Sequence, residues 1–260
     1  MNKNVYNKGS FETKLKHERE FHDRKYVGKS NAPLHYNLGP TYKIFLQMKQ
    51  LMGDIHGKRV LEYGCGTGWM TLELVLMGAD VESFDISSEA VRRTHELLQR
   101  RVGYGTYNIR EMPAEKLSYD DNEFDLVVGF AILHHLQLDK AIPEMLRVLK
   151  KGGGAYFAEP LGTNPLLNLY RYFTPEYRTR DERPLILSDF FHRYGAMFSS
   201  YAHTEFYLTA LFPLLMTNVP LVSRIAARCI TPLFSLDEKI LRRAPAFRKW
   251  AWYSILCLKK

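Results

Sequence analysis

The stretch that decides the fold is Leu61-Glu62-Tyr63-Gly64-Cys65-Gly66-Thr67-Gly68. With Arg59-Val60 before it, a short apolar run meets glycines at every second position, and a helical pattern starts at Trp69. Such a run reads as a buried strand, and glycines at its end permit a tight turn and close approach of backbone to a ligand. The first N–H groups of the following helix point outward as donors, a setting for a carboxylate or hydroxyl. Beyond Gly64, Asp85 closes a second apolar run, Asp80 to Phe84. An acid at that place can accept hydrogen bonds from both ribose hydroxyls of a nucleoside. A dinucleotide fingerprint would want its third glycine where Trp69 stands, and Glu62 would repel a pyrophosphate. The G-x-G-x-G spacing behind an acid suits a nucleoside ligand with a cationic group.

Working outward, helical patterns over Trp69–Met77, Ser87–Arg101 and Leu138–Leu149 alternate with strands at Thr106–Ile109 and Phe124–Phe130. Gly152-Gly153-Gly154 is expected to end the last helix, with Ala155–Glu159 a fifth strand stopped by Pro160. This alternation implies a parallel sheet covered on both faces. Upstream, Tyr42, Phe45, Leu46, Met48 and Leu51 have the mixed spacing of an amphipathic helix that leans on the main domain. In the first thirty residues Lys and Arg are interleaved with Glu12, Glu18, Glu20 and Asp23, which predicts a solvated helix face. Downstream come a Pro-, Tyr- and Arg-rich stretch over Leu161–Pro184, a helix over Leu187–Met197 and a strand over Ser199–Tyr207. The proline-punctuated segment Leu208–Phe247 reads as short helices forming a cap, before a final strand over Trp250–Leu258. The expected division is a helical arm over 1–53, a core over 54–207 with 248–260, and a cap insertion over 208–247.

Hydrophobic residues at 46% and charged residues at 25% of 260 exclude a disordered or fibrous chain. The formal charge of +8 would attract an anionic partner without choosing one. Cys65, Cys229 and Cys257 have no C-x-x-C spacing, so neither a disulfide framework nor a zinc site is suggested, and no metal is expected. Met1 to Ser10 lacks the apolar core of a secretory signal and no apolar stretch reaches transmembrane length, so a cytoplasmic location is expected, with membrane contact at the surface alone.

From Lys58 to Glu159 the chain resembles the class I S-adenosylmethionine-dependent methyltransferases, in particular the group similar to ubiquinone/menaquinone C-methylases. Glu62 to Gly68 resembles that family's first motif and Asp85-Ile86-Ser87 its ribose-binding strand end. Ala114-Glu115-Lys116-Leu117 followed by Asp121 to Asp125 resembles the segment flanking adenine. Phe130 to Leu136 resembles the strand end facing the sulfonium, and Leu146 to Gly153 the turn before the next strand. Many relatives carry Asp where Pro113 stands, which shifts adenine recognition toward Glu115 or backbone. The resemblance implies a Rossmann-like, doubly wound, seven-stranded sheet, mostly parallel with the last strand antiparallel. It implies S-adenosyl-L-methionine as cofactor. Its implied site is Glu62, Gly64, Cys65, Gly66, Gly68, Asp85, Ile86, Ala114, Glu115 and Phe130.

Methyl transfer from a sulfonium needs an aligned nucleophile and exclusion of water, and a base only when the acceptor must lose a proton. His134 and His135 are candidate bases, because histidine titrates near neutrality, and Glu159 at another strand end is a further candidate. His35, Tyr36 and His192 are candidate acceptor contacts. Enzymes methylating planar amino nitrogens of nucleic acid commonly carry an Asn/Asp-Pro-Pro-aromatic run after the fourth strand. Here Gly129-Phe130-Ala131-Ile132 stands instead, which weighs against nucleic acid. The apolar cap with Arg224, Arg228, Arg242 and Arg243 suggests a roof over a hydrophobic acceptor, a surface for an anionic membrane, or a homodimer contact. The expected reaction is O- or C-methylation of a small, hydrophobic or lipid-like molecule. The alternatives are an RNA methyltransferase and a non-catalytic, cofactor-binding interaction subunit.

Overall fold

The computed structural model describes residues 11–27, 38–103, 106–179, 181–216 and 222–260. Seven strands, β1 (Arg59–Tyr63), β2 (Asp80–Asp85), β3 (Tyr107–Glu111), β4 (Phe124–Phe130), β5 (Leu149–Pro160), β6 (Ser200–Phe206) and β7 (Tyr253–Lys259), form one sheet in the order 3-2-1-4-5-7-6. β1 to β5 pair in parallel, and β7 runs antiparallel to both β5 and β6. The order reverses between β1 and β4, and open sheets of this kind take ligands outside the strand C-termini at such a switch point.

Alternate residues of each strand face opposite layers. Val60, Val81, Leu126 and Val128 pack with Ile44, Phe45, Met48 and Met52 of α2 (Leu38–Met52) and Met70 and Leu74 of α3 (Trp69–Leu76). Leu61, Tyr63, Phe84, Val127 and Phe157 pack on the other face with Ile142 and Met145 of α5 (Leu138–Val148) and Phe190 of α7 (Leu187–Tyr194). Burial on both faces explains why β1 and β4 read as near-continuous apolar runs. α4 (Ser88–Arg101) starts where Ser87 accepts from Ala90 N at 3.1 Å.

Several expectations need correction. The glycine triplet does not end α5: the helix stops at Val148, and residues 152–154 lie inside β5, across a register shift between Phe124 and Leu126 on β4. The stretch after β5 contains a helix, α6 (Pro165–Phe173), which Asn164 starts by accepting from Leu166 N and Leu167 N. A short 3-10 turn, Pro175–Tyr177, follows. The first helix, α1 (Phe11–Val27), has the expected solvated face and, in addition, a docked inner one. Asp23 accepts from Ser87 Oγ at 2.5 Å, Arg19 Nε donates to Ile86 O at 3.1 Å, and Glu18 is buried. Helical propensity and interleaved charge describe its outer face, while these polar contacts dock its inner one.

Between β6 and β7 lie α8 (Leu211–Met216) and α9 (Ser223–Arg243). Buried Asp237 of α9 accepts from Leu208 N, Thr209 N and Ala210 N, satisfying donors just ahead of α8.

Candidate active site

A cavity of about 1020 Å³ opens at the switch point, with the turns after β1, β2 and β4 as its floor. Of the residues singled out in the sequence, Glu62, Gly64, Cys65, Gly66, Asp85, Ile86, Ala114, Glu115, Phe130, His134 and His135 all border it.

After β1, Gly64 and Gly66 have φ of 75° and 53°, in the left-handed region that favours glycine. A Cβ at Gly64 would stand 3.0 Å from Ile132 Cδ1, and one at Gly66 3.1 Å from the Tyr26 hydroxyl. Both glycines therefore keep this turn open to the cavity. Gly68 has another role and is not part of the lining: at φ 80° it precedes α3, where a Cβ would lie 3.0 Å from Thr94 Cα. It lets α3 and α4 approach. Cys65 is buried, and burial raises its thiol well above the usual range.

Glu62 is 1% exposed. Its Oε2 accepts from Thr71 Oγ1 at 2.6 Å and Ser83 Oγ at 2.7 Å, whereas Oε1 has no hydrogen-bond partner among the described residues. Burial pushes the carboxyl up to about 7, against the pull of the two hydroxyls. Asp85 accepts from Gly66 N at 3.0 Å and Ser87 N at 2.9 Å. Burial raises its carboxyl too, opposed by His22 and those N–H groups. Glu115, beside Ala114, accepts from Gln137 N at 2.9 Å and so also holds the entry to α5.

After β4, Ala131 adopts φ 55°, a conformation that costs a non-glycine residue free energy and that clusters at functional sites. The sharp bend aims Ile132 N and Leu133 N at Glu159 Oε1, each at 2.9 Å, while Glu159 Oε2 meets His134 Nδ1 at 2.7 Å. Glu159 is fully buried and does not border the cavity, and it reaches the cavity wall through its contact with His134. Burial lowers His134 below the usual imidazole range. Nδ1 faces Glu159, which leaves Nε2 as the ring's other nitrogen for a proton.

The expected acceptor contacts fare differently. His35 and Tyr36 lie outside the described residues. His192 is exposed on α7 and does not border the cavity. Of the described cap residues only Leu215 reaches it; the roof is built by Glu18, His22 and Tyr26 of α1 and Leu167, Tyr170 and Arg171 of α6, with Glu182 beyond. Sequence reading missed these because they lie outside the recognised motifs. The signal available was Glu18 and His22, one turn apart on a helix with little apolar character.

Residues 61–157 match the family model described as a methyltransferase domain. Together with the sheet order and the glycine turn, this makes that segment similar to the class I S-adenosylmethionine-dependent methyltransferase domains. Over about half of its length the chain is similar to proteins described as ubiquinone biosynthesis O-methyltransferases. The protein of that description from Paraburkholderia phymatum is 32% identical over 151 residues, covering 57% of this chain and 62% of that one. Its counterpart from Bordetella avium is 29% identical over 137 residues, 51% of this chain and 55% of the other. The chain thus spans little more than half the length of these curated relatives. Among solved structures, phosphoethanolamine N-methyltransferase 2 of Haemonchus contortus, in complex with phosphomonomethylethanolamine and S-adenosylhomocysteine, superposes with a TM-score of 0.69 at 16% identity, covering 93% of this chain and 59% of that one. Magnesium protoporphyrin IX methyltransferase from Synechocystis, with bound S-adenosylhomocysteine, gives 0.63 at 15% identity over 94% and 98%. These likenesses speak for the fold.

Proposed function

We propose that the protein transfers the methyl group of S-adenosyl-L-methionine to an oxygen or carbon of a small, hydrophobic or lipid-like acceptor, releasing S-adenosylhomocysteine. The observation that carries this reading is that one cavity is bordered both by the Glu62–Asp85 turns and by His134, which Glu159 contacts from behind. The residues present fit the cofactor: a buried Glu62 oxygen lacks a partner, as a site for an ammonium requires, and the turn at Gly64 and Gly66 has no Cβ in the way. When bound, the cofactor supplies an electrophilic methyl on a sulfonium.

In this reading Glu62 meets the amino group, and the backbone of Gly64, Cys65 and Gly66 lies along the methionine moiety. Asp85 holds the ribose hydroxyls, Ile86 covers adenine, Ala114 and Glu115 flank its edge, and the Phe130 carbonyl accepts from the ammonium. His134 takes the proton of an acceptor hydroxyl, Glu159 fixing its tautomer. α1 and α6 exclude water over the reacting groups. The names of the curated relatives support an oxygen acceptor of quinone-like character.

The same proposal places the protein in the cytoplasm, meeting an anionic membrane from which the acceptor is taken. Exposed Leu166, Leu169, Tyr172 and Phe173 on α6, and Phe212, Met216 and Ile225 on α8 and α9, support it, with Arg224 and Arg228 nearby in sequence. No helix among the described residues is long and apolar enough to cross a membrane. A nucleic-acid acceptor is set aside on the Gly129-Phe130-Ala131-Ile132 strand end. The test is calorimetric titration with S-adenosylmethionine and S-adenosylhomocysteine, NAD and FAD as controls, then a screen of phenols, quinone precursors and lipids, with co-sedimentation on phosphatidylglycerol vesicles. Binding of the first two alone and turnover of an apolar acceptor are expected. Absence of cofactor binding sinks the reading, and absence of vesicle association sinks its membrane part.

A further inference from the structure

Where α1 crosses the cavity, three metal-ligating side chains from two distant parts of the chain converge. Glu18 Oε2 lies 3.5 Å from His22 Nε2 and 3.2 Å from His135 Nδ1, and the three atoms all fall within 4.8 Å of one another. Glu18 and His22 are one helical turn apart and therefore share a face, while His135 comes from the 3-10 turn Leu133–His135 after β4.

Two of these atoms are in an unusual state. Glu18 Oε2 and His135 Nδ1 are buried with no hydrogen-bond partner among the described residues, although they face each other at 3.2 Å. The Glu18 side chain is only 6% exposed. Buried polar atoms without well-formed hydrogen bonds call for an explanation beyond their mutual contact. The other Glu18 oxygen is fixed by Thr179 Oγ1 at 2.6 Å, the kind of outer contact that orients a ligating carboxylate.

We propose that Glu18, His22 and His135 bind a divalent transition-metal ion of the zinc class in the wall of the acceptor cavity. Two imidazoles and one carboxylate are a donor set used by catalytic sites that keep a coordination position open. An ion about 2.0–2.1 Å from each donor, in tetrahedral array, separates its donors by roughly 3.3 Å. The two carboxylate–imidazole separations already match this. All three residues border the cavity, so the open position takes an oxygen of the acceptor and both holds and polarises it. That use of the ion rests on the methyltransferase reading; binding of the ion does not. A second group, His134, His135 and Glu182, shares one histidine, but His134 Nδ1 is committed to Glu159.

The test is titration of chelator-treated, full-length protein with Zn²⁺ by calorimetry, repeated with Co²⁺ to read ligand-field absorption. Glu18→Gln, His22→Gln and Glu182→Gln are run in parallel, and S-adenosylmethionine is titrated into each. One Zn²⁺ per chain is expected, with affinity reduced roughly 100-fold or more in the first two variants and retained in Glu182→Gln. His22→Gln, at a half-buried position, keeps the comparison valid should Glu18→Gln undock α1, which circular dichroism would reveal. No binding by the parent, or parent-like binding by both α1 variants, overturns the proposal. Loss in Glu182→Gln alone also does, because the ion then sits elsewhere. If zinc fails while S-adenosylmethionine still binds, the metal site is refuted and the methyltransferase reading stands.

Discussion

Replacing Glu62 by Gln should stabilise the cofactor-free protein, and increasingly so as pH rises. In the folded chain the carboxyl is pushed up to about 7 from an ordinary value of 4.5, chiefly by burial. Below the ordinary value both folded and unfolded chains hold the proton, and burial of the neutral acid imposes no titration penalty. Between the two values the unfolded chain releases a proton that the folded chain keeps, so stability falls with rising pH. Above about pH 7 both are ionised and the full cost, about 3 kcal/mol, is present. The amide of the Glu62→Gln variant cannot ionise, so the stability gap between variant and parent should widen by about 2–3 kcal/mol from pH 5 to pH 8. For a chain of this size that is about 5–10 °C in melting temperature. Other titrating groups are common to both proteins and cancel in the difference. Differential scanning calorimetry across that range reads it. The cofactor tests the other half of the reasoning: its ammonium should draw the ionised form, so binding near pH 6 releases a proton from the parent and none from Glu62→Gln, as titration in buffers of different ionisation enthalpy would show. A stability gap that stays flat with pH would refute the assignment of Glu62 as a buried carboxylate awaiting a cation.

Asp85→Ala removes acceptors for Gly66 N and Ser87 N as well as for a ribose, and should weaken S-adenosylmethionine binding by about 1–3 kcal/mol, read by calorimetric titration. Gly68→Ala puts a Cβ against the Thr94 backbone at left-handed φ and should cost about 1–3 kcal/mol of stability in urea unfolding, with a smaller effect on cofactor affinity because residue 68 does not border the cavity. His134→Ala should leave cofactor affinity within about twofold while slowing turnover of a hydroxyl acceptor roughly 100-fold or more; parent-like turnover would remove it as the base.

The sheet and the glycine-turn side of the cavity were legible because local constraints dictate them. A strand buried on both faces must be apolar along its length, as Leu126 to Val128 are, and a turn that brings backbone to a ligand must be glycine at Gly64 and Gly66. The acceptor side was not, because it is assembled from long-range contacts that leave no periodic trace. Glu18 and His135 are separated in the chain by β1 through β4, and nothing local to either says that they meet. The glycine triplet misled for a related reason: glycine ends helices, but here residues 152–154 lie in a strand whose register slips against β4.

What α1 does to this site follows from where its side chains go. Tyr26 presses its hydroxyl toward Gly66, on the cofactor side, while Glu18 faces His135 on the acceptor side, and Asp23 and Arg19 fasten the helix between them to Ser87 and Ile86. A single helix therefore touches both halves of the cavity, and a displacement that admits one ligand alters the wall offered to the other. If cofactor binding shifts Tyr26, the affinity for an acceptor must change by the same factor that the acceptor imposes on the cofactor, because coupling between two sites is reciprocal. Tyr26→Phe, which removes the hydroxyl nearest Gly66 and keeps the ring, should reduce that mutual factor in paired titrations while leaving the His134–Glu159 pair in place. An unchanged factor would mean that α1 is a fixed lid and that the two halves of the cavity fill independently.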